Sequence, residues 1–326
     1  MNPIVFPGLG LELNINRVAF SVFGKDIYWY GIIIACGFVL AVIYCYYNAK
    51  RFGIEKDRVI DFILFAAPGG IIGARIYYVL FYPSLYWNAD GSFNWKEAIA
   101  IWDGGLAIYG GVIAAIIILL IFCRVNRIKF LAFADLGSYG LLIGQAVGRW
   151  GNFCNQEAYG GPTNLPWRMG LTVAGEYIEV HPTFLYESLW NAVGLAFAHF
   201  VLRKHRKFDG EVFLFYLSWY GLGRMWIEGM RTDSLYLFNT GIRVSQLLAG
   251  LCFVIAGALL LVLVMKLKPD PERLYVNQVA AMAKAKEAHE EKQTEAVQSQ
   301  QQVCENSETQ NSETETEETD DGSSGD

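Results

Sequence analysis

Residues 243–265 read RVSQLLAGLCFVIAGALLLVLVM, and after Arg243 the run carries no charge. A helix needs about 20 mainly apolar residues to cross the hydrocarbon core of a bilayer, so this stretch decides the class of the fold. Working outward from it, six more apolar stretches of comparable length lie near 27–48, 59–81, 104–123, 131–148, 182–202 and 211–228. The stretch at 131–148 is short and rich in Gly and Ser. The second stretch contains Arg75 and the sixth runs into Arg224; charges inside a span are costly and turn toward a polar interior. Composition agrees with this reading. Of the 326 residues 53% are hydrophobic and only 18% charged, against roughly a quarter charged in soluble chains. An all-α membrane protein of about seven transmembrane helices is expected, which excludes an ordinary cytosolic enzyme.

Charge is distributed along the chain in a way that orients these spans. Lys50, Arg51, Lys56 and Arg58 follow the first stretch, and Arg124, Arg127 and Lys129 follow the third. Arg203, Lys204, Arg206 and Lys207 follow the fifth, and Lys266 and Lys268 the seventh. The loops between, 82–103 and 229–242, are aromatic and poor in Lys. Basic loops stay on the cytoplasmic side, so the N-terminus is expected outside and the C-terminus in the cytoplasm. Residues 269–326 hold fifteen acids against four bases, a balance of −11, whereas the whole chain carries −6. Residues 1–268 are therefore a basic hydrophobic unit of about +5, the expected polytopic transmembrane domain. The acidic Gln/Ser/Thr/Glu-rich tail, after an Ala/Lys/Glu run able to form a helix, lacks the apolar content to fold and is expected to be disordered. No removable signal peptide is read in MNPIVFPGLGLELNINR. The six cysteines and four histidines form no cluster with metal-ligand spacing, so neither a metal nor another cofactor is expected.

Four segments carry the chemistry, each at the outer end of a span. Residues 144–160, GQAVGRWGNFCNQEAYG, bracket Arg149, Asn152, Asn155 and Glu157 with four glycines. An arginine fork with neighbouring amides suits a phosphate group, although the same residues could form a polar loop closed by an Arg149–Glu157 pair. Residues 102–111, WDGGLAIYGG, flank Tyr109 with paired glycines, which equally suits close packing between membrane helices. Residues 181–188, HPTFLYES, place Tyr186 and Glu187 at the start of the fifth span, with His181 as a cap or interfacial residue. Residues 220–233, YGLGRMWIEGMRTD, put Arg224 and Glu228 on one helix face and Arg231 a turn beyond, which could also be a self-neutralising ladder. Arg75, Arg149, Arg224 and Arg231 together exceed what packing alone requires. The cavity they would line is expected to bind an anion, and a cavity opening within the membrane makes an anionic phospholipid the natural ligand.

The block running from Gly148 through Arg149, Gly151, Asn152, Phe153, Asn155 and Glu157 to Gly160 resembles the signature of the phosphatidylglycerol–prolipoprotein diacylglyceryl transferases. The other three segments resemble that family in the same order, as do Trp29-Tyr30-Gly31 and Gly73-Ala-Arg75-Ile76-Tyr-Tyr78, over roughly residues 20–265. The resemblance implies a seven-span enzyme of the bacterial plasma membrane with its active site toward the outer leaflet and no cofactor. It implies transfer of the diacylglyceryl group of phosphatidylglycerol to the lipobox cysteine of a prolipoprotein, with release of glycerol 1-phosphate. The implied partners are phosphatidylglycerol, lipobox peptides and membrane lipids, with no nucleic acid. Arg149 and Arg224 fall at the family's essential arginines, where they would hold the phosphate as the monoester leaves. Asn152 and Glu157 fall at positions important for activity, read as headgroup hydrogen bonding and orientation of Arg149. Tyr30, Asp135, Glu228 and Arg231 match as supporting or lipid-contact residues, and Gly160 matches where a side chain would block the site.

Two positions depart from the family pattern. Where many members carry a histidine discussed as general base, this chain has Tyr109, and an ordinary tyrosine with a pKa of about 10 is a poor base at neutral pH. A contact role is therefore expected for Tyr109. Cys154 replaces an apolar residue and is read as incidental, because the reacting thiol belongs to the substrate. The rival reading is a small-anion or lipid transporter using the same arginines, but no internal repeat relates the two halves.

Overall fold

The computed structural model describes residues 3–88, 90–232, 241, 243–268, 270–294 and 298. The chain divides into two compact units, residues 1–276 and 277–326. In the second, residues 277–294 are helical and largely exposed, with a Lys286–Glu290 pair at 3.6 Å. The expected disorder of the remaining tail falls outside the described residues, apart from residue 298.

The first unit is mainly helical. Its long helices are α1 (Trp29–Asn48), α2 (Lys56–Phe81), α4 (Ile108–Val125), α5 (Phe130–Asn155), α6 (Thr183–Phe197), α8 (Glu211–Met230) and α9 (Val244–Lys266), with a short α3 (Trp95–Ile99) between α2 and α4. After α6 the helical backbone continues through a π-turn (Ala198–Leu202) into α7 (Arg203–His205). Among the described residues, five helices are long and apolar enough to cross a membrane: those at 29–52, 56–81, 108–125, 130–155 and 244–266. The other two candidates, α6 and α8, carry Glu187, and Arg224 with Glu228, which lower their hydropathy. Many large apolar side chains stand exposed on the five, including Phe38, Phe65, Ile121 and Val254, as a lipid-facing surface requires.

One helix differs from expectation in length. The weak stretch at 131–148 belongs to a 26-residue helix, and the polar block around Arg149 is its last two turns rather than a loop. Glycine lowers hydropathy but here allows contact. A Cβ added at Gly151 would lie 2.8 Å from the Tyr30 ring, so α1 and α5 pack closely along their length. The pair α2 and α4 does the same, since a Cβ at Gly110 would lie 2.4 Å from the Gly73 carbonyl oxygen. The glycines around Tyr109 thus serve the helix packing that small residues allow in membranes.

Strands appear that hydropathy did not suggest. A four-stranded antiparallel sheet has the order β2-β1-β5-β6, from β1 (Ile4–Phe6), β2 (Leu11–Leu13), β5 (Met169–Val173) and β6 (Glu176–Val180). A hairpin of β3 (Val18–Val22) and β4 (Lys25–Tyr28) leads straight into α1. The sheet covers a small apolar core in which Ile4, Phe6, Met169, Leu171 and Val180 meet Phe153 and Phe184 from the ends of α5 and α6.

At the basic-loop end, charges are held by structure. Asp135 is fully buried in α5 and accepts hydrogen bonds from the Gly210 and Phe213 amides at 2.8 and 2.9 Å. It thereby caps the start of α8, whose first N–H groups have no partner within the helix. Arg206 approaches the same carboxylate at 3.4 Å and lies over the Phe52 ring. The compact unit extends past 268 because the Tyr275 amide donates to buried Asp209, which also pairs with Lys129 at 3.0 Å. Asp135→Ala should strip the cap and leave Arg206 buried without its counter-charge, costing about 3–5 kcal/mol. The check is the thermal unfolding midpoint of the purified protein in micelles, where an unchanged midpoint would refute the capping role.

Candidate active site

The site is built at the bundle end away from the basic loops, where α5 and α8 finish and α6 begins. Glu187, in the first turns of α6, is 4% exposed. Its Oε2 meets the Nε of Arg149 on α5, and its Oε1 accepts from Arg224 Nη1 on α8 at 2.6 Å. One buried carboxylate thus joins two arginines from two other helices. The Arg149 contact lies off hydrogen-bond geometry, because that oxygen has no directed donor among the described residues; it is an ion contact. Arg224 continues through Nη2 to Glu228 Oε2 at 2.6 Å, one helical turn on. Glu228 also accepts from Ser245 Oγ of α9 at 2.7 Å, and its carbonyl accepts from Arg243. The network ties α5, α6, α8 and α9 together.

On the exposed side, Arg149 Nη1 donates to Asn152 Oδ1 at 3.3 Å, and Asn152 Nδ2 donates to Glu157 Oε1 at 2.9 Å. Glu157 therefore reaches Arg149 through the amide of Asn152 rather than by the direct pair read from the sequence. Tyr30 lies against Gly151, one residue before Asn152. The two guanidinium groups are partly exposed, 21% for Arg149 and 16% for Arg224. Among the described residues no partner is found for Nη2 of Arg149, so that edge can take a ligand oxygen.

Gly160 and Arg231 close the back of the site. Their backbones pair as an antiparallel bridge, the Gly160 amide donates to the His181 carbonyl at 3.0 Å, and the Gly161 amide to the Met230 carbonyl at 2.8 Å. A Cβ at Gly160 would lie 2.7 Å from His181 Cβ and 3.1 Å from Thr183. A side chain there would push α6 away from the end of α8, which is a reason for glycine besides blocking a cavity. His181 Nδ1 lies 3.2 Å from the Tyr186 hydroxyl, which accepts from Trp167 Nε1 at 2.8 Å. Asp233 lies outside the described residues.

Three expected site residues are not brought to this cluster. Asp135 sits fourteen residues before Arg149 on the same helix, about 21 Å away at about 1.5 Å per residue, where it caps α8. Arg75, buried in α2, donates to the carbonyls of Glu97, Ala98, Gly104 and Gly105 at 2.5 to 3.0 Å and lies over the Tyr86 ring. Its guanidinium gathers the 97–105 segment rather than lining the cavity. Tyr109 opens α4 against α2, with the Tyr77 ring 6.5 Å away. Conversely, Glu187 was read only as the start of a span. The signal was present, since it is the sole Asp, Glu, Lys or Arg between 182 and 202 and a lone carboxylate in a span needs a partner.

Residues 17–263 match the protein family described as prolipoprotein diacylglyceryl transferase. Over 245 residues the chain is 45% identical to the phosphatidylglycerol–prolipoprotein diacylglyceryl transferase of Finegoldia magna, covering 75% of this chain and 94% of the relative. It is 47% identical over 223 residues to the enzyme so named in Clostridioides difficile, covering 68% and 86%. The like-named enzyme of Oceanobacillus iheyensis is 44% identical over 255 residues, covering 74% and 86%. With Arg149, Glu187, Arg224 and Glu228 all inside the matched region, the chain belongs to the prolipoprotein diacylglyceryl transferase family.

Proposed function

We propose that the α5–α6–α8 cluster is where this membrane transferase takes phosphatidylglycerol and passes its diacylglyceryl group to the lipobox cysteine of a prolipoprotein. The observation that carries the assignment is the Glu187 bridge, which fixes two arginines side by side in a water-poor setting. The lipid phosphate sits against the outer edges of Arg149 and Arg224. The cysteine sulfur attacks the glyceryl methylene carbon, forming a thioether as the carbon–oxygen bond to the phosphate breaks. The bonding pair goes to that oxygen, and glycerol 1-phosphate leaves. The thiol proton departs toward the exposed mouth, where Glu157 stands.

Electrostatics gives the arginines their role. A phosphodiester carries one negative charge, and the departing monoester carries a second until it takes up a proton. Two guanidinium groups already held in place stabilise that developing charge more than the ground state, which is the condition for catalysis. Asn152 and Glu157 orient Arg149 from one side, and Glu228 orients Arg224 from the other. Tyr30, packed against Gly151 beside Arg149, is a lipid-contact residue, and Arg231 closes the back of the site.

The membrane placement follows from charge. Basic loops follow α1, α4, the α6–α7 helix and α9, which supports seven spans with the N-terminus outside and the acidic tail in the cytoplasm. The cluster then opens to the outer leaflet of the bacterial plasma membrane, where a prolipoprotein presents its cysteine.

Transfer of labelled diacylglycerol to a lipobox peptide in mixed micelles tests the assignment. Arg149→Lys keeps the charge but loses the fork, and should lower kcat by about 10²–10³ with little change in unfolding midpoint. Glu187→Gln keeps the shape but frees both arginines, and should cost about 10²-fold through lost alignment. Wild-type rates in both variants would move the site elsewhere. Tyr109 gives a separate test. Tyr109→Phe should retain activity within about threefold across pH 6–9, whereas a proton-accepting Tyr109 would show a loss of about 10²–10⁴.

A further inference from the structure

Below the ion cluster lies a second polar layer, placed there by helix periodicity. Gln145 is four residues before Arg149 on α5, Asn191 four after Glu187 on α6, and Tyr220 and Tyr216 four and eight before Arg224 on α8. Since α5 and α6 run antiparallel and Arg149 meets Glu187, the same faces carry Gln145 and Asn191 one turn deeper. Gln145 Nε2 donates to the Tyr216 hydroxyl at 2.9 Å, which sets that level on α8. Asn191 is 1% exposed and lines a closed slit with Glu187, Trp190, Tyr220, Gly223, Arg224 and Ile227. In this state the slit is too narrow to admit water.

Two oxygens of this layer have no hydrogen-bond partner among the described residues, Asn191 Oδ1 and Gln145 Oε1. A buried amide oxygen without a donor costs about 1–3 kcal/mol, and native proteins rarely leave one so. Both oxygens lie one helical turn from the Arg149–Glu187–Arg224 cluster. The site therefore offers positive edges for an anion and, one turn below, bare acceptors for hydrogen-bond donors. A ligand that suits both is a phosphate ester bearing hydroxyl groups.

We propose that Asn191 on α6, with Gln145 on the facing helix α5, accepts hydrogen bonds from the headgroup hydroxyls of the donor lipid and so selects a polyol headgroup. This rests on the assignment of Arg149 and Arg224 to the phosphate. Binding parts the side chains of the slit, the glycerol enters below the phosphate, and the orphaned oxygens gain donors. A lipid without hydroxyls leaves them bare. Sites that hydrogen-bond a substrate hydroxyl reject analogues lacking it more strongly than apolar pockets reject a changed shape.

The test compares phosphatidylglycerol with phosphatidylpropanol, which has the same phosphodiester and acyl chains but no hydroxyls, as donors to a lipobox peptide. Wild type should favour phosphatidylglycerol by about tenfold or more in kcat/KM. Asn191→Leu should bring the ratio near one by lowering the phosphatidylglycerol rate alone. Asn191→Ser, which keeps an acceptor, should restore much of it and also serves if the leucine variant folds poorly. Equal losses on both lipids would mean that Asn191 only packs the helices or holds a water, and would overturn the proposal. So would a wild type indifferent to the two lipids. Failure of the phosphate assignment reads differently: Arg149→Lys would then leave both lipids at wild-type rates, whatever the ratio between them.

Discussion

The structure depends on one carboxylate. Glu187 stands between Arg149 and Arg224, and each of the three belongs to a different helix. Taking charges out of water costs several kcal/mol apiece, and an ion network repays this only where every member has its partner. None of α5, α6 and α8 can therefore expose its charged residue to lipid; each must turn it toward the other two. The network fixes the rotation of three helices about their axes, which apolar packing alone leaves loose. Glu228 extends the constraint to α9 through Ser245, and Asn152 carries it to the exposed turn that holds Glu157. The Trp190 and Trp219 rings, stacked at 4.3 Å with each indole N–H on the other's carbonyl, hold α6 to α8 a turn deeper.

Buried arginines serve opposite ends in this molecule, and their acceptors tell them apart. Arg75 donates to four backbone carbonyls, which are neutral dipoles fixed by the chain, so its positive charge organises a loop and is consumed there. Arg149 and Arg224 meet carboxylates through part of their edges and keep some solvent contact. An arginine held by a carboxylate on one side can present a free edge to an anion on the other. The local charge also matters. Glu187 and Glu228 balance Arg149 and Arg224, and Arg231 and Arg243 against Glu157 leave about one positive charge, a modest excess that suits binding a phosphodiester without trapping a dianionic product.

Much of this was legible in the sequence because hydropathy and helical spacing are local properties. The long helices follow from apolar runs, the Arg224–Glu228 pair from its four-residue spacing, and Arg149, Asn152 and Glu157 from a polar block set among glycines and its family resemblance. What failed was the pairing of distant charges. Asp135 and Arg75 look like site residues by the same rule, since both are charges in spans, yet one caps α8 and the other gathers a loop. Glu187 was passed over because its two partners lie 38 and 37 residues away along the chain, on other helices. The length of α5 was misjudged because its glycines lower hydropathy, although their value lies in contact with Tyr30 on α1. The small sheets were invisible because strands of three to five residues leave almost no periodic signal.

An anion transporter would use the same residue types, and the difference lies in rigidity. Alternating access requires a site that sees each side of the membrane in turn, so its charged residues must exchange partners as helices move. Here the cluster sits at one end of the helices that bear it, and Asp135 locks the opposite end of α5 to the start of α8 through two amides and Arg206. A bundle pinned by charge at both ends resists rocking. Catalysis asks for that resistance, because donors already aimed at the developing charge need no reorganisation when the bond breaks. The same rigidity explains how unsatisfied oxygens persist below the arginines. Helices free to rotate would turn Asn191 and Gln145 toward any available donor, whereas helices fixed by the Glu187 bridge hold them bare for a ligand to satisfy.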